Sequence, residues 1–331
     1  YVFQSGLGHF TNASAAHIDH LFERLVSSPW KLLIWHSLIM GSTIWVVAMG
    51  IQHGLERSVR YMFPAMFILL LIIIGYAATT SEFSAGLRFL FTPDFSAISS
   101  HGILIALGHA FFTLSLATGS IMMYGAYVPK DVSITKAALA IAGADTLIAL
   151  LAGMAIFPIV FANQLEPGAG PGLIFKTLPI AFGQIPYGEL FATFFFVMLV
   201  FAAFTSAISL LEPATSWMME KFELTRKKAA MSIGFIIWLL GFGTIFSFNI
   251  ASDLTFKGLN FFELLDYLTA NILMPLGGIA IAVFAAWRMN KQLIFEELQT
   301  NSKSLFYRCW HFALGIIAPV AVSIVFLHVT G

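Results

Sequence analysis

The stretch GHAFFTLSLATGSIMMYGAY, residues 108–127, decides the fold of this chain. It lies inside an apolar span, yet it carries hydroxyl side chains and a glycine where a lipid-facing helix would carry Leu and Val. These positions are Thr113, Ser115, Thr118, Gly119 and Ser120. Hydrocarbon offers no water to a free backbone amide or carbonyl, so a helix that breaks at this depth must line a protein cavity. The stretch therefore predicts a broken helix that binds a polar ligand.

The alternative is an intact helix that is only bent. A single Ser or Thr commonly donates to the carbonyl of the preceding turn and bends the helix slightly. Four hydroxyls together with a glycine favour the break. The carbonyls that end the first half-helix would then attract cations, and the amides that begin the second would attract anions.

The composition around this stretch is that of a membrane protein. Of 331 residues, 59% are hydrophobic and only 10% are charged, with 34 Phe and 13 Met. A soluble protein of this size would need a larger charged surface. The single cysteine, Cys309, excludes a disulfide framework and a multi-thiolate metal site. We expect the lipid bilayer as a partner and no nucleic acid.

Apolar segments of about 18 residues or more predict eight transmembrane helices in an all-α integral membrane protein. The predicted spans are residues 29–51, 61–78, 102–128 (the broken one), 134–161, 190–211, 231–250, 261–287 and 310–329. Most of the 17 basic residues fall in alternate loops. The positive-inside rule places those loops in the cytoplasm and both ends of the chain outside.

Three other segments carry predictions within a single transmembrane domain, residues 1–331. Residues 161–188 mix Gly and Pro turns with an apolar segment, which favours an extracellular lid loop over a plain linker. Residues 290–307 are polar and amphipathic and predict a cytoplasmic loop with a short surface helix. The chain starts with Tyr, and its first ten residues resemble the outer end of a membrane helix, so we expect an upstream segment to be missing.

Asp145 is the acidic residue nearest the middle of a predicted span. It lies eleven residues into the span 134–161, which is about 16 Å at the helical rise and so near the bilayer midplane. Ionisable groups at this depth are costly and usually functional. A bound cation would neutralise Asp145; the alternative is a protonated carboxyl that hydrogen-bonds to a neighbouring helix.

A second set of oxygen-bearing residues lies in the span 190–211. Ala202, Thr205 and Ser206 fall on one helical face and supply two hydroxyls and a carbonyl, which is half of a sodium site. Taken alone, this small-residue face is better explained by close helix packing, for which membrane helices commonly use such residues. Glu212 and Pro213 follow in the same segment. Proline lacks an amide donor, and the glutamate can bind a polar group that this leaves without a partner.

Three further ionisable residues leave two interpretations open. Asp266, near the outer end of its span, and Glu220, beyond the span 190–211, could close an entrance by pairing with a base, or could be ordinary interfacial charges. His109 lies one turn before the break and is more often a hydrogen-bonded interior residue than a proton carrier.

Five motifs follow one another along the chain: FFTLSL and YGAYV in the broken span, then FAAFTSAISLLEP, LTRKKA and LLDYLTANILMPLGG. Together, and in this order, they resemble the neurotransmitter:sodium symporter family, in its bacterial amino-acid branch. The resemblance implies the inverted-repeat fold of the bacterial leucine transporter. It covers the family's helices four to eleven, so that about eight transmembrane helices are present and the first three are lacking.

The resemblance also assigns roles to individual residues. It implies a first sodium site at Thr113 and Asp145 and a second at Ala202, Thr205 and Ser206. It implies an aromatic roof over the substrate at Phe112. The residues that it places around the substrate are Phe112, Thr113, Ser115, Thr118, Ser206 and Leu210. Asp266 matches the acid of the outer gate, and Glu220 and Tyr127 match the inner gate.

The function implied is sodium-coupled symport of an amino acid or related small amine into the cell by alternating access. Na+ is the coupling ion, and the location is the plasma membrane, which is the inner membrane in bacteria. Chloride-dependent members carry Ser where Ala149 stands, and Asp145 supplies a fixed negative charge, so we predict chloride independence.

The alternatives are a proton-coupled carrier of the same fold, using His109 and Asp145, or an inactive fragment of the symporter, because we expect no uptake without the missing helices. A membrane hydrolase is disfavoured, since no His stands at recognisable spacing from a nucleophile and HExxH is absent. A channel would need a continuous polar stripe that the sequence lacks.

Overall fold

The computed structural model describes residues 1–96, 98–129, 131–166 and 172–330. Every regular element among these residues is a helix, apart from an isolated β-bridge between Phe256 and Leu259. Within this part of the chain, seven helical segments are long and apolar enough to cross a bilayer. With the broken helix they match the eight predicted spans, and the all-α membrane fold is confirmed.

The helices of the first half of the chain are α1 (Val2–Gly6), α2 (Ala15–Val26), α3 (Pro29–Ala48), α4 (Arg57–Ala77), α5 (Phe83–Phe91), α6 (Ser100–Thr113), α7 (Ser120–Tyr127) and α8 (Ile134–Ala162). Those of the second half are α9 (Leu178–Gly183), α10 (Gly188–Phe222), α11 (Arg226–Ser247), α12 (Phe261–Asp266), α13 (Met274–Val283), α14 (Lys291–Glu297), α15 (Leu305–Phe312) and α16 (Ala318–Thr330). Five π-helical stretches precede or join them, at Ile51–Glu56, Leu173–Thr177, Tyr267–Leu273, Phe284–Arg288 and Ala313–Ile317.

The chain divides into two compact units. Unit 1 comprises Tyr1–Pro93 and Leu147–Leu254, and unit 2 comprises Asp94–Thr146 and Thr255–Gly331. Helix α8 contributes residues to both units. Large apolar side chains are exposed throughout, for example Trp30 at 73% and Leu139 at 70%. Such surfaces are stable when they face lipid.

In unit 1, glycines bring α3 and α11 into close contact. A Cβ on Gly241 would lie 2.3 Å from Nε2 of His36, and that ring nitrogen is 3.1 Å from the carbonyl oxygen of Trp238. The indole N–H of Trp238 donates to the Ser37 hydroxyl at 2.9 Å. Small residues and interhelical hydrogen bonds are the usual means of helix association in membranes.

The segment predicted as a lid is partly helical and is packed into unit 1. The stretch Leu173–Thr177 continues into α9, where Leu178 and Phe182 are buried. The Lys176 ammonium pairs with Asp19 on α2 at 2.9 Å. Its Gly and Pro turn at residues 167–171 lies outside the described residues. The apolar residues that distinguished this segment from a linker thus form part of the unit 1 core.

We predict that Gly183→Ala destabilises unit 1. The end of α9 touches the backbone before α2, where the Asn12 amide donates to the Gly183 carbonyl at 2.9 Å. A Cβ on Gly183 would lie 1.8 Å from the carbonyl oxygen of Phe10. Overpacking of this kind costs about 1 to 3 kcal/mol. Thermal unfolding should show a lower melting temperature than for Gly41→Ala, whose Cβ meets nothing within 4 Å; equal melting temperatures would refute the contact.

Helices α2 and α5 of unit 1 lie outside both the predicted spans and the other segments for which the sequence carried a prediction. Ser14 is the N-cap of α2, and its side chain accepts a hydrogen bond from the His17 amide at 3.2 Å. Helix α5 packs against α8, since a Cβ on Gly86 would lie 2.6 Å from Cγ of Pro158. Both helices are too short to cross a bilayer, which is why a search for long apolar segments passes over them.

In unit 2, the first half of the broken helix packs against α13. A Cβ on Gly278 would lie 2.1 Å from Cζ of Phe111. The glycine therefore leaves room for the aromatic ring on α6. This contact holds the end of α6, and with it the break, against a long apolar helix.

Candidate functional site

The break lies between α6 and α7, as the sequence predicts. Helix α6 ends at Thr113 and α7 begins at Ser120. Between them, Ser115 and Ala117 have positive φ angles of 52° and 69°, and Gly119 has 85°. Left-handed backbone is unfavourable for non-glycine residues, and such conformations concentrate at functional sites. The broken helix is therefore a specific, locally strained feature of unit 2.

The side chains at the break bond within it and to α8. The Thr118 hydroxyl donates to the Ser115 carbonyl at 2.9 Å and lies 3.3 Å from the Ser120 hydroxyl. The Thr113 hydroxyl lies 3.2 Å from a carboxylate oxygen of Asp145. The structure thus brings together the two residues predicted for the first sodium site, which are 32 positions apart in sequence.

The surroundings of Asp145 hold no obvious protein counter-charge. Among the described residues Asp145 forms no ion pair with Lys, Arg or His. His109 is exposed on α6 and makes no hydrogen bond to Asp145 there. The pair therefore presents a carboxylate and a hydroxyl beside a broken helix, and hard cations prefer oxygen ligands of this kind.

Phe112 lines a cavity of about 280 Å³ within unit 2. The wall is apolar apart from His101 and Asn271. Phe112 itself is 60% exposed. A predominantly apolar cavity with few polar groups is typical of small-molecule sites. Asp266, the predicted outer-gate acid, is exposed at the end of α12, one turn before Ala270 of the cavity wall.

In unit 1, the residues predicted for the second sodium site are linked by hydrogen bonds to one backbone carbonyl. The hydroxyls of Thr205 and Ser206 both donate to the Ala202 carbonyl at 3.0 Å. Bonds to the preceding turn are ordinary for Ser and Thr in helices. Here they gather three oxygen atoms on one face of α10, with Ser206 and Leu210 exposed beside them. No group of three or more His, Cys, Asp and Glu side chains suited to a metal occurs in the described part of the chain.

The predicted inner-gate residues lie at helix ends. Glu220 is exposed near the end of α10, which continues to Phe222 and so runs well past the predicted span. Tyr127 is the last residue of α7 in unit 2 and is partly buried.

Arg226 is a structural residue that the sequence reasoning missed. Its guanidinium forms an ion pair with Glu212, whose side chain is 1% exposed, and its Nε–H donates to the Val47 carbonyl at 2.8 Å. Ser216 also donates to Glu212, at 3.1 Å. The polar group that Glu212 binds is therefore this guanidinium. The sequence does contain a sign of this ion pair, since a Glu-Pro pair inside an apolar span is followed by a cluster of basic residues.

Comparison with known proteins places these features in context. Residues 5–330 match the model of the sodium:neurotransmitter symporter family. The chain is 34% identical to YhdH, an uncharacterised sodium-dependent transporter of Bacillus subtilis, over 100% of this chain and 74% of that protein. It is 32% identical to an uncharacterised sodium-dependent transporter of Haemophilus influenzae, over 91% of this chain and 66% of that protein.

A solved structure is similar as well. The crystal structure of MhsT in complex with L-phenylalanine matches with a TM-score of 0.88 and 40% identity, over 99% of this chain and 75% of that chain. The chain thus spans about two thirds to three quarters of the length of these three relatives.

Proposed function

The chain belongs to the sodium:neurotransmitter symporter family, and from this premise we propose that the protein carries an amino acid into the cell together with sodium ions. The family and the relatives are transporters and not enzymes. The apolar helices make this a multi-pass protein of the plasma membrane. The relative MhsT was solved with L-phenylalanine, which makes an L-amino acid the first substrate class to test.

The observation that carries the proposal is the contact between Thr113 and Asp145 at the broken helix. A hydroxyl and a carboxylate 3.2 Å apart, with no ion-paired Lys, Arg or His among the described residues, form part of a coordination shell for a small hard cation. In the proposed mechanism this pair binds one sodium ion, and Ala202, Thr205 and Ser206 bind another. The family resemblance gives Phe112, Ser115 and Thr118 of unit 2, and Ser206 and Leu210 of unit 1, as the substrate contacts of this proposal.

Binding at a broken helix suits this substrate. An amino acid carries an ammonium and a carboxylate, and the two half-helices offer carbonyls to the first and amides or a bound cation to the second. Sodium and substrate would favour the same conformation, so that their binding is coupled through a shift in populations. Alternating exposure of the site to the two sides then moves both together.

The gates are part of the same proposal. Asp266 would close the outer entrance beside the cavity wall, and Glu220 and Tyr127 the inner one. The segment 161–188 would act as the extracellular lid and the loop 290–307 would lie in the cytoplasm. The packing of Leu178 and Phe182 into unit 1 supports a lid anchored at its base.

Transport should be independent of chloride. The Asp145 carboxylate brings a fixed negative charge to the first sodium site, which is the role that a bound chloride would otherwise have. We expect uptake of radiolabelled L-amino acids by proteoliposomes to be unchanged when gluconate replaces chloride. Loss of uptake in gluconate would contradict this assignment while leaving sodium coupling intact.

Sodium coupling is tested with the complete gene product that contains this chain. Proteoliposomes receive either an inward sodium gradient at equal pH, or an inward proton gradient without sodium, with radiolabelled L-phenylalanine as the first probe. We expect accumulation above equilibrium only with the sodium gradient. Accumulation driven by the proton gradient alone would favour the proton-coupled carrier.

A further inference from the structure

A second cavity in unit 2, of about 400 Å³, is lined by basic and aromatic side chains and is distinct from the residues assigned to transport. It lies where two candidate membrane spans, Phe261–Arg288 and Leu305–Leu327, approach the polar loop that joins them. The lining residues are Trp287, Lys291, Tyr307, Arg308, His311, Phe312 and Ile316. We refer to it as the basic pocket.

The basic pocket carries positive charge that no described carboxylate pairs with. Lys291 and Arg308 both line it and are exposed. In the described part of the chain neither forms an ion pair with a carboxylate. The acids of the neighbouring helix α14, Glu296 and Glu297, are not part of the lining. Two cationic side chains that line one cavity, with no carboxylate among its lining residues, are suited to an anion from outside the chain.

The walls of the basic pocket are held by contacts between the two helical segments. The indole N–H of Trp287 donates to the Gly315 carbonyl at 3.2 Å. His311 Nε2 is 3.0 Å from the Ala286 carbonyl oxygen, and since a carbonyl only accepts, this nitrogen carries the proton. Tyr307 is nearly buried and packs edge-on against Phe295, with ring centroids 4.8 Å apart. The cations therefore border a preformed cavity.

One side of the basic pocket is apolar and open. Trp287, Phe312 and Ile316 are 60%, 54% and 46% exposed. Trp and Tyr are concentrated where a bilayer meets water, at the depth of lipid headgroups. Arg binds phosphate through a planar fork of donors and Lys through a point charge. A ligand that matches both the cationic side and the apolar side of the pocket has a phosphate at one end and a hydrocarbon chain at the other.

We propose that the basic pocket binds the phosphate of an anionic phospholipid, with Lys291 and Arg308 on the phosphate and Trp287, Phe312 and Ile316 against the glycerol and upper acyl chain. The positive-inside bias assigns this lipid to the cytoplasmic leaflet. The chemistry shared with a soluble phosphate ester is the phosphate itself. The apolar wall is exposed at the ends of two spans, which favours a lipid over a soluble ester as the source of the phosphate.

The test measures lipid binding rather than transport. The complete gene product is reconstituted in phosphatidylcholine bilayers that contain spin-labelled phosphatidylglycerol, and the motionally restricted fraction is followed by electron paramagnetic resonance. Lys291→Gln with Arg308→Gln should weaken preferential phosphatidylglycerol binding by about 100-fold, because each substitution removes a charge-assisted hydrogen bond to the lipid phosphate. Lys227→Gln with Lys228→Gln removes the same charge from exposed positions outside the pocket and should change binding less than about 3-fold, the few-fold effect of altering only the general surface charge.

Two further arms make the outcome decisive. Lys291→Arg with Arg308→Lys keeps both cations and should retain the preference, which separates charge recognition from a folding defect. Soluble glycerol phosphate, added as a competitor, should not displace the lipid. Equal loss in the two charge-removing variants would overturn the site, and full displacement by glycerol phosphate would overturn the lipid as its ligand.

Discussion

Asp145→Ala should weaken sodium-dependent substrate binding by about 100-fold. The carboxylate is the charged member of the pair with Thr113, and no described Lys, Arg or His compensates it. Removing one member of an ion pair in a partly buried site costs about 3 kcal/mol, which is about two orders of magnitude in affinity. The measurement is the sodium concentration that half-saturates binding of a radiolabelled L-amino acid to the complete gene product.

The neighbouring residue provides a matched control. Thr146 follows Asp145 on α8, and its hydroxyl donates to the Ala142 carbonyl at 3.0 Å. Thr146→Val changes the same helical turn without removing an oxygen from the proposed site, so its sodium dependence should stay near that of the unmodified protein. A normal sodium dependence in Asp145→Ala would remove Asp145 from the sodium site.

Arg226→Gln should lower the melting temperature by about 5 °C. It leaves the Glu212 carboxylate, at 1% exposure, without its guanidinium and frees the Val47 carbonyl at the end of α3. Breaking a buried ion pair by removing one partner costs about 3 to 5 kcal/mol, which corresponds to a shift of this size in a protein of a few hundred residues. The measurement is thermal unfolding in detergent.

The control variant is Lys227→Gln, since Lys227 is the next residue and is exposed. It should melt close to the unmodified protein. The double variant Glu212→Gln with Arg226→Gln replaces both charges by neutral amides and should recover much of the lost stability. If Arg226→Gln melted at the same temperature as Lys227→Gln, the ion pair would not stabilise the junction of α3, α10 and α11.

Much of the fold could be predicted because lipid imposes a simple rule on sequence. A long apolar segment must be a helix that satisfies its own backbone, so length and hydropathy fix the spans. The break at residues 114–119 could be predicted because its hydroxyl side chains and Gly119 are atypical of a lipid-facing helix. The family resemblance assigned Thr113 and Asp145 to one sodium site, and the structure places their side-chain oxygens 3.2 Å apart. Their role as sodium ligands stays a prediction.

Other features depend on tertiary contacts, which the hydrophobic pattern of the sequence does not predict. Helices α2 and α5 are short and were not predicted, and α5 is held against α8 through Gly86 and Pro158. The partner of Glu212 could not be chosen from sequence because several basic residues follow α10. The positive φ angles of Ser115 and Ala117 are also invisible to propensity, since neither residue type favours that conformation.

The central claim is that two sets of oxygen ligands bind sodium. Equilibrium binding of radioactive sodium to the complete gene product, with a saturating L-amino acid, tests it directly. We predict that Asp145→Ala and Thr205→Val each lose part of the saturable sodium binding, while Thr146→Val retains all of it. Saturable binding in Asp145→Ala and Thr205→Val equal to that of the unmodified protein would contradict the account.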